Sequence, residues 1–387
     1  MEEKTENKTE NKRNASLDVL RLCAFFFVAC VHFYLNSGFY DTVTEGTPML
    51  VMWILRSLPN TCVALFLMLS GYLMTNKTVS RKYYSGLPRI LVTYLLCSLF
   101  CILYKARFLG TGRTAGGWLR TVLDYTASDY AWYIEMYLGL FLMIPFLNSA
   151  YHGLKSQKEK LILILSFLLL TSLPGLLNTF DLSTPGWWAD PGSSNHFTKL
   201  LPAWWTGFYP VTYYFLGSYL REYPITGLRQ SGKAKMKKST CLLLLILFCA
   251  AAGVYNYYRM HGIKFYWGAF LTNASPLVVV PAVLFFELIA ESGLKLPEKA
   301  GKVLGWFSGL TLGAFLCAPV FDHFVYSRFK MFVPEVSDRW IWAPVTVTAV
   351  FLLSLSAAAV IEAVRLLLGR GFGFCRKKLK EIGKEKR

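Results

Sequence analysis

Charge is what this sequence has least of. Only 17% of its 387 residues are Asp, Glu, Lys or Arg, where a soluble domain carries about 25%. That deficit excludes the two or three soluble domains this length would otherwise allow, because too little polar surface is left to cover them. Acidic residues are the scarcer sign, 23 against 41 Lys and Arg, for a net charge of +18. The cysteines lack metal-ligand spacing. Most of them (Cys23, Cys30, Cys97, Cys101, Cys241, Cys249, Cys317) fall in apolar runs and show no outer-loop pairing. A disulfide framework and a zinc site are both unsupported, and no metal is expected. The chain also lacks a short apolar core followed by a small-residue cleavage site, so no removable signal peptide is expected. No long internal repeat is visible, which speaks weakly against a transporter.

What is present is grease. Hydrophobic residues make up 54% of the chain and aromatics 16%, with a mean hydropathy of +0.39. Apolar runs recur at about 17–36, 60–76, 88–106, 130–149, 160–178, 207–222, 239–257, 268–290, 304–326 and 340–368. Each is close to the roughly 20 residues that cross a bilayer as a helix. The second is short, the sixth short and aromatic, and the apolar stretch 49–58 reads as a helix lying at the membrane surface. The expected fold is an all-α polytopic membrane bundle of about ten transmembrane helices. A polar, disordered cytoplasmic tail (1–15) precedes the membrane domain (16–368), and a basic tail (369–387) follows it.

Positive charge sets the orientation. With the N-terminus cytoplasmic, 29 of the 41 Lys and Arg fall in inner segments and 11 in outer ones, with Arg21 left inside the first span. Both termini are therefore expected to be cytoplasmic. The basic excess becomes topology, and no nucleic-acid partner is expected.

Ionisable groups inside spans are costly, so each is a functional candidate. The first span, SLDVLRLCAFFFVACVHFYLNSGFY, carries Asp18, Arg21, His32 and Asn36. Arg21 and His32 are separated by only about 20° in azimuth and roughly 16 Å of rise, so they share one stripe. Arg21 paired with Asp18 and snorkelling to the interface is the duller alternative. Glu135 in the fourth span lies at about the depth of His32. If helices one and four are neighbours, its carboxylate would fix the imidazole tautomer and suit His32 to general-base work. Arg89 opens the third span, where a guanidinium can hold phosphate or simply anchor the inner face. Asp322 and His323 close the ninth span, with an outer loop the more natural home. Ser70-Gly71 in LFLMLSGYLM reads as a close helix approach. In the outer loop 178–206, Trp187, Trp188, Trp204 and Trp205 stand near Asp190, Asn195 and His196. Flat rings beside amide and carboxylate groups suit a sugar; an interfacial aromatic belt is the alternative.

These motifs together resemble the integral-membrane acyltransferase 3 family. Arg21 and His32 match its R-x10-H pattern, and LDVLR matches the start of its first span. LFLMLSGYLM resembles its F-F-x-x-S-G-Y/F-L motif, and WYIEMYLGLFLMIPFL resembles its W-Y/F-x(n)-G-L-Y-L-x-x-P motif. The resemblance runs over essentially the whole chain and is strongest to about residue 150. It implies transfer of an acyl group, usually acetyl, from cytoplasmic acyl-CoA to a carbohydrate hydroxyl, with His32 catalytic and Arg21 its motif partner. Arg89 matches the second Arg of an R-x-x-R element associated with donor binding, although Gly86 stands in place of the first. Ala318 stands where many members carry a late histidine. The chain ends in RKKLKEIGKEKR, so the SGNH hydrolase-like domain of many relatives is not expected.

The expected activity is O-acyltransfer to a cell-surface glycan or lipid-linked sugar in a bacterial plasma membrane. Acyl-CoA would be co-substrate and no cofactor tightly bound, with a carbohydrate acceptor and membrane lipids as the other partners. A multi-pass transporter or lipid-linked-oligosaccharide flippase would share the span count without needing a thioester. A glycan polymerase would want larger outer loops than the roughly 30 residues found here.

Overall fold

The computed structural model describes residues 13–111, 114–194, 196–226 and 236–385, with side chains up to residue 369 other than those of 193 and 269. The expected N-terminal tail therefore lies largely outside the described residues, as does Asn195, and most of the C-terminal tail is described by its backbone alone. The helix that ends the chain nevertheless runs on past the predicted boundary at 368, to Glu385. The protein is 76% helical, and no strand occurs among the described residues.

A helix stands at each of the ten predicted places. The first, α1 (Ala15–Asn36), starts where the Asn14 side chain accepts the Ser16 amide, the usual N-cap arrangement. It ends before Gly38, whose φ of 83° favours glycine. Then follow α2 (Gly46–Ser57), α3 (Cys62–Met74), α4 (Leu87–Tyr104), α5 (Trp132–Gly153) and α6 (Gln157–Phe167, with further helical turns to Leu177). The remainder are α7 (Tyr209–Glu222), α8 (Lys238–Met260), α9 (Pro276–Ala290), α10 (Glu298–Phe332) and α11 (Ala343–Glu385). Eight segments are long and apolar enough to cross a membrane. The two predicted spans that fall short are α7 and α9, of 14 and 15 residues. Helix α7 explains its own brevity, because most of its side chains are buried in protein rather than facing outwards. Such a short apolar helix is a core element.

The outer wall is apolar. On α4, Leu91, Leu95, Leu99 and Leu103 form an exposed stripe at helical spacing, and α8 exposes Leu242, Leu243, Ile246 and Leu247. Exposed apolar surface on this scale would be untenable in water and is matched by lipid. The protein is a polytopic membrane bundle.

Helix α1 is central, packed against α3, α9, α10 and α11. Helix α10 also packs on α4 and α11, and α3 on α7. The α3–α7 contact brings backbones together at glycine. A Cβ on Gly71 would lie 1.9 Å from the Tyr214 carbonyl oxygen, and one on Gly217 would lie 1.9 Å from that of Met68. The Ser70-Gly71 pair is thus a close approach as expected, with Gly71 making it. The stretch 49–58 falls in α2, a helix packed on α8 with Met52 and Trp53 fully buried. Its neighbour carries Gly253, where an added Cβ would strike Ile54, so small residues again let two helices close up.

Candidate active site

A cavity of about 560 Å³ opens between α1, α3, α4, α5, α10 and α11, a size usual for small-ligand sites. At the end holding the start of α1, three arginines line it: Arg13, Arg21 and Arg89. Their partners differ. Arg13 clamps Asp18 with two hydrogen bonds of 2.6 and 2.8 Å and reaches the Gly305 carbonyl at 2.7 Å. In place of the alternative Asp18–Arg21 pair, the carboxylate is held by Arg13. Arg21 donates instead to the Ser308 hydroxyl at 3.2 Å and makes no ion pair with a carboxylate among the described residues. A guanidinium held by one neutral hydroxyl keeps most of its donors for a ligand. Arg89 is 63% exposed and lies 3.6 Å from Glu362, which Arg365 also holds at 2.6 Å. It is a looser cation at the rim.

Deeper in, the wall turns apolar and aromatic. Val28, Val63, Phe66, Tyr133 and Phe315 line that end, with Tyr133 edge-on to Phe315 at 5.6 Å. Val28 precedes His32 by four positions, one helical turn or about 6 Å. The cavity's lining on α1 therefore reaches to one turn before the histidine.

His32 sits one turn further along α1, its side chain 13% exposed and its Nδ1 buried. The Tyr130 ring stacks on it at 3.6 Å between centroids. Its carboxylate neighbour is Asp322, with Oδ2 3.6 Å from His32 Nδ1. Tyr130 donates to the same oxygen at 2.5 Å. Asn36 donates back to the His32 carbonyl at 2.8 Å, steadying the end of the helix.

Two expectations need correcting here. Glu135 does not orient His32. The first turn of α5 buries Ile134 in the core, so the next residue is rotated 100° away, and Glu135 is exposed. The segment leading into α5 does reach His32, but through Tyr130. Asp322 is likewise not in an outer loop. Helix α10 continues to Phe332, placing Asp322 inside it on the buried face shared with Ala314, Ala318 and Tyr326. That i, i+4 register was readable in the sequence; the contact with Tyr130 was not. Ala318, in the place of the family's late histidine, lies one turn from Asp322 on this face. His323 points elsewhere, with Nδ1 2.8 Å from the Tyr104 hydroxyl. Ser70 donates to the Phe66 carbonyl at 2.9 Å, which occupies its proton within its own helix.

The four tryptophans do not form one platform. Trp187 is only 2% exposed, lying under the Arg259 guanidinium at 4.6 Å and edge-on to Trp188 at 4.9 Å. Trp188 is exposed beside Phe180. Trp204, 86% exposed, and Trp205 stand in the turn Trp204–Phe208 before α7. No ring contact joins the two pairs among the described residues, a distribution closer to an interfacial belt.

Asp181 organises the outer loop by accepting from the hydroxyls of Ser183, Thr184 and Ser194 at 2.6–2.7 Å. These bonds hold its carboxyl below the usual carboxylate range. A depressed folded pKa stabilises above the unfolded value and is lost as pH falls through the folded one. Wild-type protein should therefore keep this segment protease-resistant on acidification to about pH 4, opening only below it. Asp181→Ala should open it at neutral pH, and limited proteolysis reads both.

A family model described as an acyltransferase domain matches residues 14–361, nearly the whole membrane part. No curated protein matches the chain, and no solved structure does. The match takes in α1 to α10, with Arg21, Arg89, His32, Tyr130 and Asp322 inside it. This chain belongs to the acyltransferase 3 family and is a multi-pass membrane acyltransferase.

Proposed function

We propose that the protein moves an acyl group, acetyl by family resemblance, from cytoplasmic acyl-CoA to a hydroxyl of a cell-surface glycan or lipid-linked sugar in a bacterial plasma membrane. The observation that carries this reading is the cavity, cationic at one end and lined at the other by Phe66, Tyr133 and Phe315 up to one turn before His32. The chain's orientation, with both termini inside, follows from the basic residues at that same end. Arg21 and Arg89 would hold the phosphates of the donor. The roughly 16 Å of rise from Arg21 to His32 is comparable with an extended pantetheine arm, whose thioester would then lie near the imidazole. His32 takes the proton of the acceptor hydroxyl, whose oxygen attacks the thioester carbonyl. The C–S bond breaks, and the leaving thiolate takes the proton back from the imidazolium. An acyl-histidine relay is the variant of the same chemistry. A flippase needs no thioester donor, so donor binding separates the classes.

Purified protein in nanodiscs should bind CoA and acetyl-CoA by calorimetry. Arg21→Ala removes a partly buried guanidinium, and a charge-assisted contact worth about 1.5–3 kcal/mol corresponds to roughly 10–150-fold in Kd. Arg89→Ala should cost only a few-fold, because exposed charges are screened. Absence of CoA binding by the wild type would sink the reading. Glycan mass spectrometry of a deletion strain should show a missing acyl mass that the wild-type gene restores.

A further inference from the structure

Two buried polar atoms beside Tyr130 lack a hydrogen bond. His32 Nδ1 and Asp322 Oδ1 have no hydrogen-bond partner among the described residues. The nearer carboxylate oxygen, Oδ2, is 3.6 Å from Nδ1, just beyond hydrogen-bond reach. Buried polar groups are nearly always paired, so this near miss calls for a physical cause. Tyr130 touches both groups. Its hydroxyl bonds Oδ2 at 2.5 Å, and its ring lies on the imidazole face. The same ring leans on Phe315 at 5.9 Å, and Phe315 lines the cavity's apolar end.

We propose that Asp322 is the positioning residue for His32 and that Tyr130 is a catch holding the two apart until donor arrives. A thioester advancing up the cavity must displace Phe315, and with it Tyr130. Asp322 is then free to accept the Nδ1–H of His32. That bond fixes the tautomer with a bare Nε2, the nitrogen that takes the acceptor proton. Assembling the base only when donor is present keeps water from consuming acyl-CoA in the resting protein. The inference rests on the acyl-transfer reading and adds to it the residues that arm the histidine.

The test uses full-length protein in nanodiscs with acetyl-CoA. Asp322→Asn is isosteric and should lower kcat by about 10²-fold while leaving the donor KM within about a factor of two, since the arginines are untouched. Asp322→Glu should recover part of the loss. Tyr130→Phe keeps the ring but releases the carboxylate. Acceptor-independent acetyl-CoA hydrolysis should then rise about tenfold, the factor a hydrogen bond to a charged acceptor is worth. His32 should also react faster with diethyl pyrocarbonate in Tyr130→Phe, read by mass spectrometry without any turnover. Monodisperse elution of each variant checks folding. An inactive His32→Gln beside a fully active Asp322→Asn overturns this proposal and leaves acyl transfer standing. Wild-type protein that never turns over acetyl-CoA instead sinks the acyl-transfer reading, and the labelling rates still judge the catch. Equal labelling of His32 in wild type and Tyr130→Phe overturns it.

Discussion

His32→Gln is expected to lower kcat for acyl transfer by about 10²–10⁴-fold, the range that a positioned general base supplies. Glutamine fills similar space and keeps a polar end, so α1 should pack as before. What it lacks is a nitrogen able to take and return a proton near neutral pH. The donor site is remote: Arg21 lies about 16 Å along the helix, so acyl-CoA affinity should stay within a factor of about two. This combination separates lost chemistry from lost binding. Labelled acetyl-CoA turnover and calorimetric CoA binding on the same preparation measure the two quantities. Transfer at the wild-type rate in the variant would remove His32 from the mechanism, whether as base or as acyl carrier. An acyl adduct trapped on His32 in the wild type would select the relay over direct attack.

Gly217→Leu should prevent α3 and α7 from packing, and the protein should fail to elute as a single folded species. The reason lies in backbone, not side chain. A first carbon at Gly217 would lie 1.9 Å from the Met68 carbonyl oxygen, and Gly71 faces the Tyr214 carbonyl at the same distance. No rotamer relieves a clash with a neighbouring helix's own carbonyl. Overpacking a core costs about 1–3 kcal/mol when side chains can yield, and here the helices themselves must separate by about an ångström even for alanine. Helix α3 also packs on α1 and contributes Ser70 and Phe66 to the cavity, so the donor site would be lost with the fold. Gly139→Ala is the matching control. Nothing lies within 4 Å of a Cβ there, and alanine is the better helix former by about 1 kcal/mol. Thermal unfolding in detergent should place it at or slightly above wild type. A Gly217→Leu protein with wild-type stability would refute the close-approach account.

Much of the architecture was legible because a bilayer leaves few options. Backbone polar groups must be satisfied within each span, so a run of about 20 apolar residues becomes a helix wherever it stands. The runs at 17–36, 88–106, 130–149 and 239–257 each return as helices within a few residues. The exceptions share one cause. Helices α7 and α9 are apolar because they are buried in protein, and an apolar run does not say whether lipid or protein covers it. Hydropathy therefore overstated the length of α7 and α9.

The site divides along a similar line. The placement of Arg21 and His32 on one stripe of α1 needs only the helical repeat, and the motif order pointed to acyl transfer. Which carboxylate stands beside the histidine depends on how other helices rotate and how far they extend. Glu135 had a suitable depth, yet the burial of Ile134 turned it outwards; Asp322 seemed a loop residue until α10 ran past it to Phe332. Tyr130 carried no sequence signal, because an aromatic near a span end is ordinarily a belt residue. Local periodicity is written along the chain, so the sequence by itself determined the helices, the family and the shared stripe of Arg21 and His32. The tertiary structure alone decided the places of Asp322 and Tyr130 beside His32 and the cavity's lining, since these arise where distant helices pack, and the ordering of buried faces is a property of the whole bundle.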